Sequence, residues 1–469
     1  MLFLFLIPPT GSYCREDRCQ SKFRFSLVPG IRAPMEECEA AGGVARAGGQ
    51  ARVIDAPALG WDGGRVEREI AAARPDVVVI ATTFGTLPTD LTWARRIREI
   101  LPETSIGLRG AACYAHQEEL LAKEPAVDFC VRGDYELVFE RMATDGYEAT
   151  PGTVYRTDRG PVTNGDPLTT RDLDGLARPD RRTIDPTRYR VRGLGQPQAT
   201  IHVQRGCPFS CTYCLTHLVA GAKARHRGAE SIAEEMEELC REGYRFFYLR
   251  ADTFTLDRPW AQEVCAAIRR RCPEARWVTA TRIDCVDEPT LEAMKKAGCY
   301  GISFGLETGS AAIGEKVKKK PDVENGRRAM RLCDRYGILS LGYFMVGFLW
   351  ETRETLDQTR RYLNEVRPDL LTVYFAHPYP GTRYHDDVAA SSLPIRFADA
   401  QANPALVTEA LPTRVLERAA QGMLLQHYAH PRVWGSVVRK LGSLTVASVV
   451  SALRPRRPEP AAADLSAKP

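Results

Sequence analysis

Short apolar runs alternate with helical periodicity along most of this chain. The stretches 2–7, 52–54, 77–81, 105–108 and 129–131 are dense in Val, Ile, Leu and Phe, and read as strands. Between them, 34–47, 64–73, 87–101 and 117–123 repeat apolar residues at three- and four-residue intervals, as helices packed on one face do. Apolar strands separated by helices predict a parallel sheet covered on both faces, a Rossmann-like domain over residues 1–147. The loops that follow its strands are rich in glycine or threonine: Pro8-Pro9-Thr10-Gly11, Thr82-Thr83-Phe84-Gly85-Thr86 and Arg109-Gly110. In a doubly wound sheet, ligands sit outside the carboxyl ends of the strands, where such loops lie.

Residues 151–168 read as a polar hairpin with Asn164-Gly165 as its turn signal. From 171 to 197, Arg, Asp and Pro without periodicity suggest a surface connection, so 148–197 form a hairpin and linker. A second alternating unit follows, with strands at 200–203, 245–249, 277–280, 301–305, 339–346 and 371–375. Its helices include 229–242, 259–270, 289–297 and 354–366. Six βα repeats over 198–385 fit a partial barrel better than a closed eight-stranded one. Beyond it the pattern is mainly helical, through 414–428 and 435–453, giving a helical C-terminal domain over 386–454. The Pro-, Ala- and Arg-rich 455–469 reads as a disordered tail. The fold class expected is therefore α/β: a Rossmann-like domain, a partial (β/α)6 barrel and a C-terminal helical extension.

Composition narrows the classes of function. With 44% apolar and 26% charged residues, the chain has the make-up of a soluble protein. Its formal charge of +5 comes from scattered arginines with no basic stripe interleaved with aromatics, so no nucleic-acid partner is expected. The opening apolar run is too short to span a membrane and stops at Pro8-Pro9, and no other stretch reaches eighteen apolar residues; no transmembrane segment is expected. Fourteen cysteines spread through 469 residues do not make a small secreted disulfide scaffold. A reducing, anaerobic or microaerobic cytoplasm fits this usage best.

Three of those cysteines stand together. Cys207, Cys211 and Cys214 lie in Arg205-Gly206-Cys207-Pro208-Phe209-Ser210-Cys211-Thr212-Tyr213-Cys214, just past the first barrel strand. A [4Fe–4S] cluster takes one thiolate per iron, so three ligands leave one iron open. Zinc is the rival reading, but a structural zinc site wants four ligands, and His217 is the only convenient fourth.

At these residues the chain resembles the radical SAM superfamily, whose CxxxCxxC loop it carries. The resemblance implies a [4Fe–4S] cluster on Cys207, Cys211 and Cys214, with S-adenosylmethionine (SAM) chelated by the open iron and cleaved to a 5′-deoxyadenosyl radical. It places Tyr213 near the adenine, Asp252 of Leu249-Arg250-Ala251-Asp252-Thr253-Phe254 near the methionyl part, and Glu307 of Gly305-Leu306-Glu307-Thr308-Gly309-Ser310 inside the SAM site. Arg282 is a candidate partner for the SAM carboxylate, with a rim salt bridge as the plain alternative. Gly347-Phe348-Leu349-Trp350-Glu351-Thr352 departs from the family's Gly-x-Pro-Gly-Glu-Thr. Trp350 could pack a substrate or cofactor face, or fill a core gap.

A Rossmann-like domain ahead of such a barrel resembles the class B, cobalamin-dependent branch. That resemblance implies cobalamin between the two domains, with Pro9, Thr10, Thr82, Thr83, Phe84, Gly85, Thr86, Arg109, Gly110, Ala111 and Ala112 as candidate contacts. No Asp-x-His-x-x-Gly run supplies a lower cobalt ligand, and His116 is the only histidine before His202. The absence fits an open lower face, and also a domain that has lost cobalamin. The function implied is C-methylation of an unactivated carbon by way of the 5′-deoxyadenosyl radical and methylcobalamin. A cyclase or other oxidative rearrangement enzyme with the same cofactors is the alternative, and a cobalamin or metal sensor is the non-enzymatic one. Tyr343, Tyr374, His377 and Tyr379, near the predicted barrel mouth, are candidates for substrate positioning or proton handling, against aromatic core packing. The expected partners are a small-molecule or lipid-like substrate and an external one-electron reductant of flavodoxin or ferredoxin type. The chain is expected to be a monomer, with loose membrane-surface contact by the C-terminal helices as one role for them.

Overall fold

In the computed structural model, which describes residues 1–11, 14–17, 19–21, 32–190, 197–395, 404–406 and 411–441, a mainly parallel sheet is followed by a wholly parallel one. The first contains β1 (Leu2–Ile7), β4 (Gln50–Asp55), β5 (Val77–Ala81), β6 (Ser105–Arg109), β7 (Phe129–Val131), β8 (Thr153–Thr157) and β9 (Gly160–Thr163), in the order β4-β1-β5-β6-β7-β8-β9. A separate two-stranded ribbon, β2 (Cys14–Glu16) and β3 (Cys19–Ser21), follows β1. All of β5 and all but the first residue of β1 are buried, as expected for strands with helices on both faces. Side chains alternate between the faces: Leu4, Leu6, Val78 and Ile80 meet Val66, Ile70, Trp93 and Ile97, while Phe3, Phe5 and Val79 meet Ala40, Val44 and Phe139.

The order in which strands are added reverses between β1 and β5, since β1 leads outward to β4 and β5 leads the other way to β6. That switch point brings together the loops after β1 and β5, the crevice where such sheets hold ligands. The hairpin β8–β9 extends this sheet antiparallel to β7. Its turn corrects the expected one. The chain reverses at Asp158-Arg159, before Gly160 at φ +113°, whereas Asn164 follows the second strand and its backbone closes on Gly152 and Thr153.

The second sheet is wholly parallel and runs in strict chain order: β10 (Gln198–His202), β13 (Phe246–Arg250), β14 (Arg276–Thr281), β15 (Cys299–Glu307), β16 (Leu339–Val346) and β17 (Leu370–Phe375). A short antiparallel ribbon, β11 (Gln204–Arg205) with β12 (Arg225–His226), frames the cysteine loop. Phe247, Leu249, Trp277, Ile302, Phe304, Phe344, Leu371 and Val373 face the surrounding helices in one core. The alternate residues Tyr248, Val278, Ala280, Ser303, Leu341, Tyr343 and Tyr374 keep partial exposure and line the barrel interior.

Helix Thr413–Tyr428 packs Leu416, Ala420 and Met423 into the barrel core, and Tyr428 Oη accepts from Leu371 N at 2.9 Å. Helix Pro431–Leu441 is anchored by buried Lys440, whose ammonium reaches Asp369 at 2.6 Å and Asp334 at 2.7 Å. These two helices therefore pack on the barrel. The helix expected beyond 441 and the tail expected at 455–469 lie outside the described residues.

Buried ion pairs join the two sheets. Arg250, at the end of β13, binds Glu36 at 2.8 Å and Glu16 at 3.0 Å. Arg205 binds Asp134 at 2.9 Å and Glu136 at 2.6 Å, Arg225 binds Asp134 at 2.6 Å, and His202 meets Glu39 at 2.6 Å. Charges removed from water need partners in fixed geometry, so these pairs fix how the N-terminal domain sits on the barrel mouth.

Candidate functional site: the cysteine loop at the barrel mouth

The cysteine loop begins where β11 leaves the barrel. Gly206 sits at φ +85°, and any side chain there would collide with the Lys223 carbonyl. The loop is then tied at fixed points. Cys207 N donates to Gly221 O at 3.3 Å, Thr212 N to Val317 O at 3.1 Å and Tyr384 N to Thr212 O at 3.0 Å. His217 hydrogen-bonds the Cys207 carbonyl oxygen at 2.8 Å, so its ring braces the loop instead of joining the thiols.

All three cysteines are reduced and partly accessible. Cys207 Sγ lies 3.8 Å from Thr253 Oγ1, and Cys214 Sγ lies 3.3 Å from Thr216 Oγ1. Burial pushes both thiols above the ordinary cysteine value, Cys214 to about 11. Among the described residues, no three His, Cys, Asp or Glu side chains are already gathered as an ion cage. The donor set itself, three thiols on one braced loop, fits a cluster that takes thiolates and leaves one iron open.

Residues predicted for SAM surround this loop. Thr216 Oγ1 approaches Asp252 Oδ1 at 3.4 Å, beside Cys207 and Cys214. Glu307 ends β15 at φ +58°, where the register with β16 slips, and its carboxylate accepts from Lys319 Nζ at 2.9 Å. A side chain at Gly305 would fill the space that this pair uses. Burial depresses the Lys319 ammonium, but Glu307 more than offsets it and holds the group above the ordinary lysine value. Tyr213 is raised well above the ordinary tyrosine value by burial and then by Glu307, and packs edge-on against Phe348 at 6.1 Å. Trp350 is partly exposed, 6.0 Å from the Tyr384 ring with Lys316 over its face at 5.9 Å. Arg282 stacks on Phe209 and pairs with Asp284.

The four residues predicted for substrate divide into two pairs. Tyr343 and Tyr374 lie in the barrel interior with ring centroids 5.7 Å apart. His377 and Tyr379 are buried on the loop after β17, and Tyr379 stacks on Phe84 at 5.3 Å. Phe84, Ala111, Ala112, Leu215 and Tyr379 form one apolar cluster linking the N-terminal sheet, the cysteine loop and the last barrel loop.

The strand-end loops of the N-terminal sheet are largely self-satisfied. Thr83 and Thr86 exchange hydrogen bonds, and Thr86 Oγ1 donates to Asp90 at 2.6 Å. Asp90 pairs with Arg15, which also reaches Thr10. Arg109 is buried against Asp17 at 2.8 Å and against Glu37, while Thr82 is buried and the turn at Gly110 closes on its carbonyl. Pro9, Thr10, Gly11 and Gly85 keep partial exposure at the lip. An uncharged lip over locked charges fits a broad, amide-fringed ring such as cobalamin, which needs surface more than a counter-ion.

Some residues of the site were missed in the sequence. Gln204 pins the SAM-side loop by accepting from Thr253 N at 2.8 Å and donating to Thr253 O at 3.1 Å. Lys319 sits in the run Lys316-Val317-Lys318-Lys319-Lys320, which reads as a solvated charged face; only its pairing with Glu307 sets it apart.

Residues 201–363 match the model of the radical SAM superfamily. An uncharacterized methyltransferase of Pyrococcus horikoshii is 26% identical over 400 residues, covering 84% of this chain and 84% of that protein. The anaerobic magnesium-protoporphyrin IX monomethyl ester cyclase of Rubrivivax gelatinosus is 26% identical over 362 residues, covering 72% of this chain and 63% of that protein. The solved structure of the radical S-adenosylmethionine methyltransferase TsrM from Kitasatospora setae, with cobalamin and a [4Fe–4S] cluster bound, has a TM-score of 0.65 and 17% identity. It covers 97% of this chain, and the match takes in 89% of that one; the likeness is one of fold.

Proposed function

With a radical SAM domain over residues 201–363 as the premise, we propose that this protein is a cobalamin-dependent radical SAM methyltransferase acting on an unactivated carbon of a small molecule. The observation that supports the reading is that one braced loop carrying three free thiols is joined, through the apolar cluster of Phe84, Leu215 and Tyr379, to the strand-end loops of the N-terminal sheet. Cys207, Cys211 and Cys214 hold the [4Fe–4S] cluster. Asp252, Tyr213 and Glu307 hold SAM, and Pro9, Thr10 and Gly85 border the cobalamin.

Bound together, these cofactors supply a carbon-centred radical and a transferable methyl group. The protein supplies alignment. Tyr343 and Tyr374 orient the substrate inside the barrel, and the ion pairs that seat one domain on the other keep the reacting partners in register. Water is kept out by the apolar cluster of Phe84, Leu215 and Tyr379.

An external low-potential protein donates the electron, and the chain works as a cytoplasmic monomer. Among the described residues, no helix is long and apolar enough to cross a membrane. The test is anaerobic purification with iron and cobalamin quantification, followed by mass spectrometry of candidate substrates given methyl-labelled SAM. A labelled methyl on carbon supports the proposal. Loss of hydrogen or gain of oxygen without label favours the cyclase reading, which the Rubrivivax relative supports.

A further inference from the structure

The sequence reading offers Arg282 either the carboxylate of SAM or a rim salt bridge, and in the structure its guanidinium makes the salt bridge, to Asp284. Nε and Nη2 donate to Asp284 at 2.9 and 2.7 Å, which takes up one bidentate edge of the guanidinium. The flat face lies over the Phe209 ring, 3.8 Å from its centroid, and Phe209 belongs to the cysteine loop itself. The remaining nitrogen, Nη1, points at Cys211 Sγ, 4.0 Å away. The side chain is only 18% exposed, so solvent screens its charge weakly. Charge around the loop is thus uneven, with Arg282 beside Cys211 and Asp252 beside Cys207 and Cys214.

We propose that Arg282 is a positioning residue of the iron–sulfur cluster, held by Phe209 and Asp284, that raises the cluster's reduction potential through Cys211. The inference rests on the cluster assignment made above. A cluster becomes more negative when it takes an electron, so a fixed neighbouring cation stabilises the reduced form. An N–H directed at a ligating sulfur acts in the same sense. The same cation also braces the loop, because Phe209 lies between two of the ligands.

The experiment is a dithionite titration of the anaerobically reconstituted protein, followed by electron paramagnetic resonance without SAM, with SAM affinity measured separately by equilibrium dialysis. In Arg282→Gln the potential should move negative. At the poise that half-reduces the natural protein, the ratio of reduced to oxidised cluster should fall about tenfold, which is about 59 mV for one electron. SAM affinity should stay within about twofold. Arg282→Lys, which keeps the charge without the planar fork, should shift less. Phe209→Leu keeps every charge but removes the pedestal, and should shift in the same direction as Arg282→Gln.

Unchanged potentials in Arg282→Gln and Phe209→Leu, both with full iron and sulfide, would overturn the proposal. So would a tenfold loss of SAM affinity at unchanged potential, which would return Arg282 to the SAM carboxylate. If Arg282→Gln assembles no cluster, Phe209→Leu decides alone, and an unshifted potential there is fatal to the idea. A natural protein that takes up no cluster would instead overturn the parent reading, and this inference with it.

Discussion

Phe84, on a loop of the N-terminal sheet, stacks on Tyr379 of the last barrel loop, with ring centroids 5.3 Å apart and planes 29° apart. The contact joins a residue predicted for cobalamin to one predicted for substrate, and it locates both in the seam between the domains. Tyr379 is expected to work mainly through its ring. Tyr379→Phe should cost about 1 kcal/mol, the worth of a hydroxyl hydrogen bond, and keep most activity. Tyr379→Ala should cost about 3–5 kcal/mol as a buried aromatic truncation. A double-mutant cycle with Phe84→Ala, read by denaturant unfolding, should give a coupling of about 0.5–1.5 kcal/mol. Loss of activity in Tyr379→Phe at unchanged stability would instead assign the hydroxyl to the chemistry.

Glu307 and Lys319 are mutually dependent. Each is mostly buried, so removing one leaves the other as an uncompensated charge. Glu307→Gln and Lys319→Met should each destabilise the protein, by up to about 3 kcal/mol. The double variant should recover most of that loss. SAM affinity should not recover with it, because the carboxylate proposed to meet the cofactor is gone. A weakening of roughly tenfold or more is expected from one charged hydrogen bond, measured by equilibrium dialysis. Recovery of both stability and affinity in the double variant would show that Glu307 is only a structural partner of Lys319.

The strands were legible because burial on two faces demands continuous apolar runs, and 2–7, 77–81, 129–131 and 339–346 begin and end where the structure places β1, β5, β7 and β16. Turn chemistry was less legible. Asn164-Gly165 carries the stronger local signal, but the reversal falls at Asp158-Arg159, where the pairing of β8 with β9 requires it. The cysteine loop was readable because its ligands lie close together in sequence. The fate of Arg109 was not, since its partners Asp17 and Glu37 are remote in sequence, and the local Thr83–Thr86–Asp90 bonding is closed off by Arg15, which is equally remote. Polar residues at a sheet edge look available for a ligand until those partners are known.

The thiols and His217 make a second discriminating set. Cys207→Ala, Cys211→Ala and Cys214→Ala should each abolish SAM cleavage and lower bound iron several-fold. His217→Ala should keep its iron, because that ring is engaged by the Cys207 carbonyl. Its expected cost is about 1 kcal/mol of loop stability. Metal analysis of the four variants, together with the visible absorption of the cluster, checks this. Zinc in place of iron, lost with His217→Ala, would revive the four-ligand reading.

The domain seam carries a pH dependence whose sign follows from its buried acids. Glu39 and Glu136 both approach Arg205, and His202 also faces Glu39. Burial, outweighing Arg205, pushes Glu39 up to about 7 and Glu136 up to about 7, from the ordinary 4.5. The folded protein therefore binds more protons than the unfolded chain between about pH 4.5 and 7. Stability should fall as pH rises through that window and level off above it. Each group contributes on the order of 1–3 kcal/mol at the upper limit. Glu36 and Asp134 are held below the ordinary carboxylate values by Arg250 and by Arg205 with Arg225, so their opposite contribution is lost only at lower pH. Urea midpoints measured from pH 5 to 8 should decline for the natural protein and flatten for the Glu39→Gln/Glu136→Gln double variant. A midpoint that climbs with pH across this range, or a double variant with an unchanged slope, would show that the two acids are ionised throughout and that Arg205 alone compensates them.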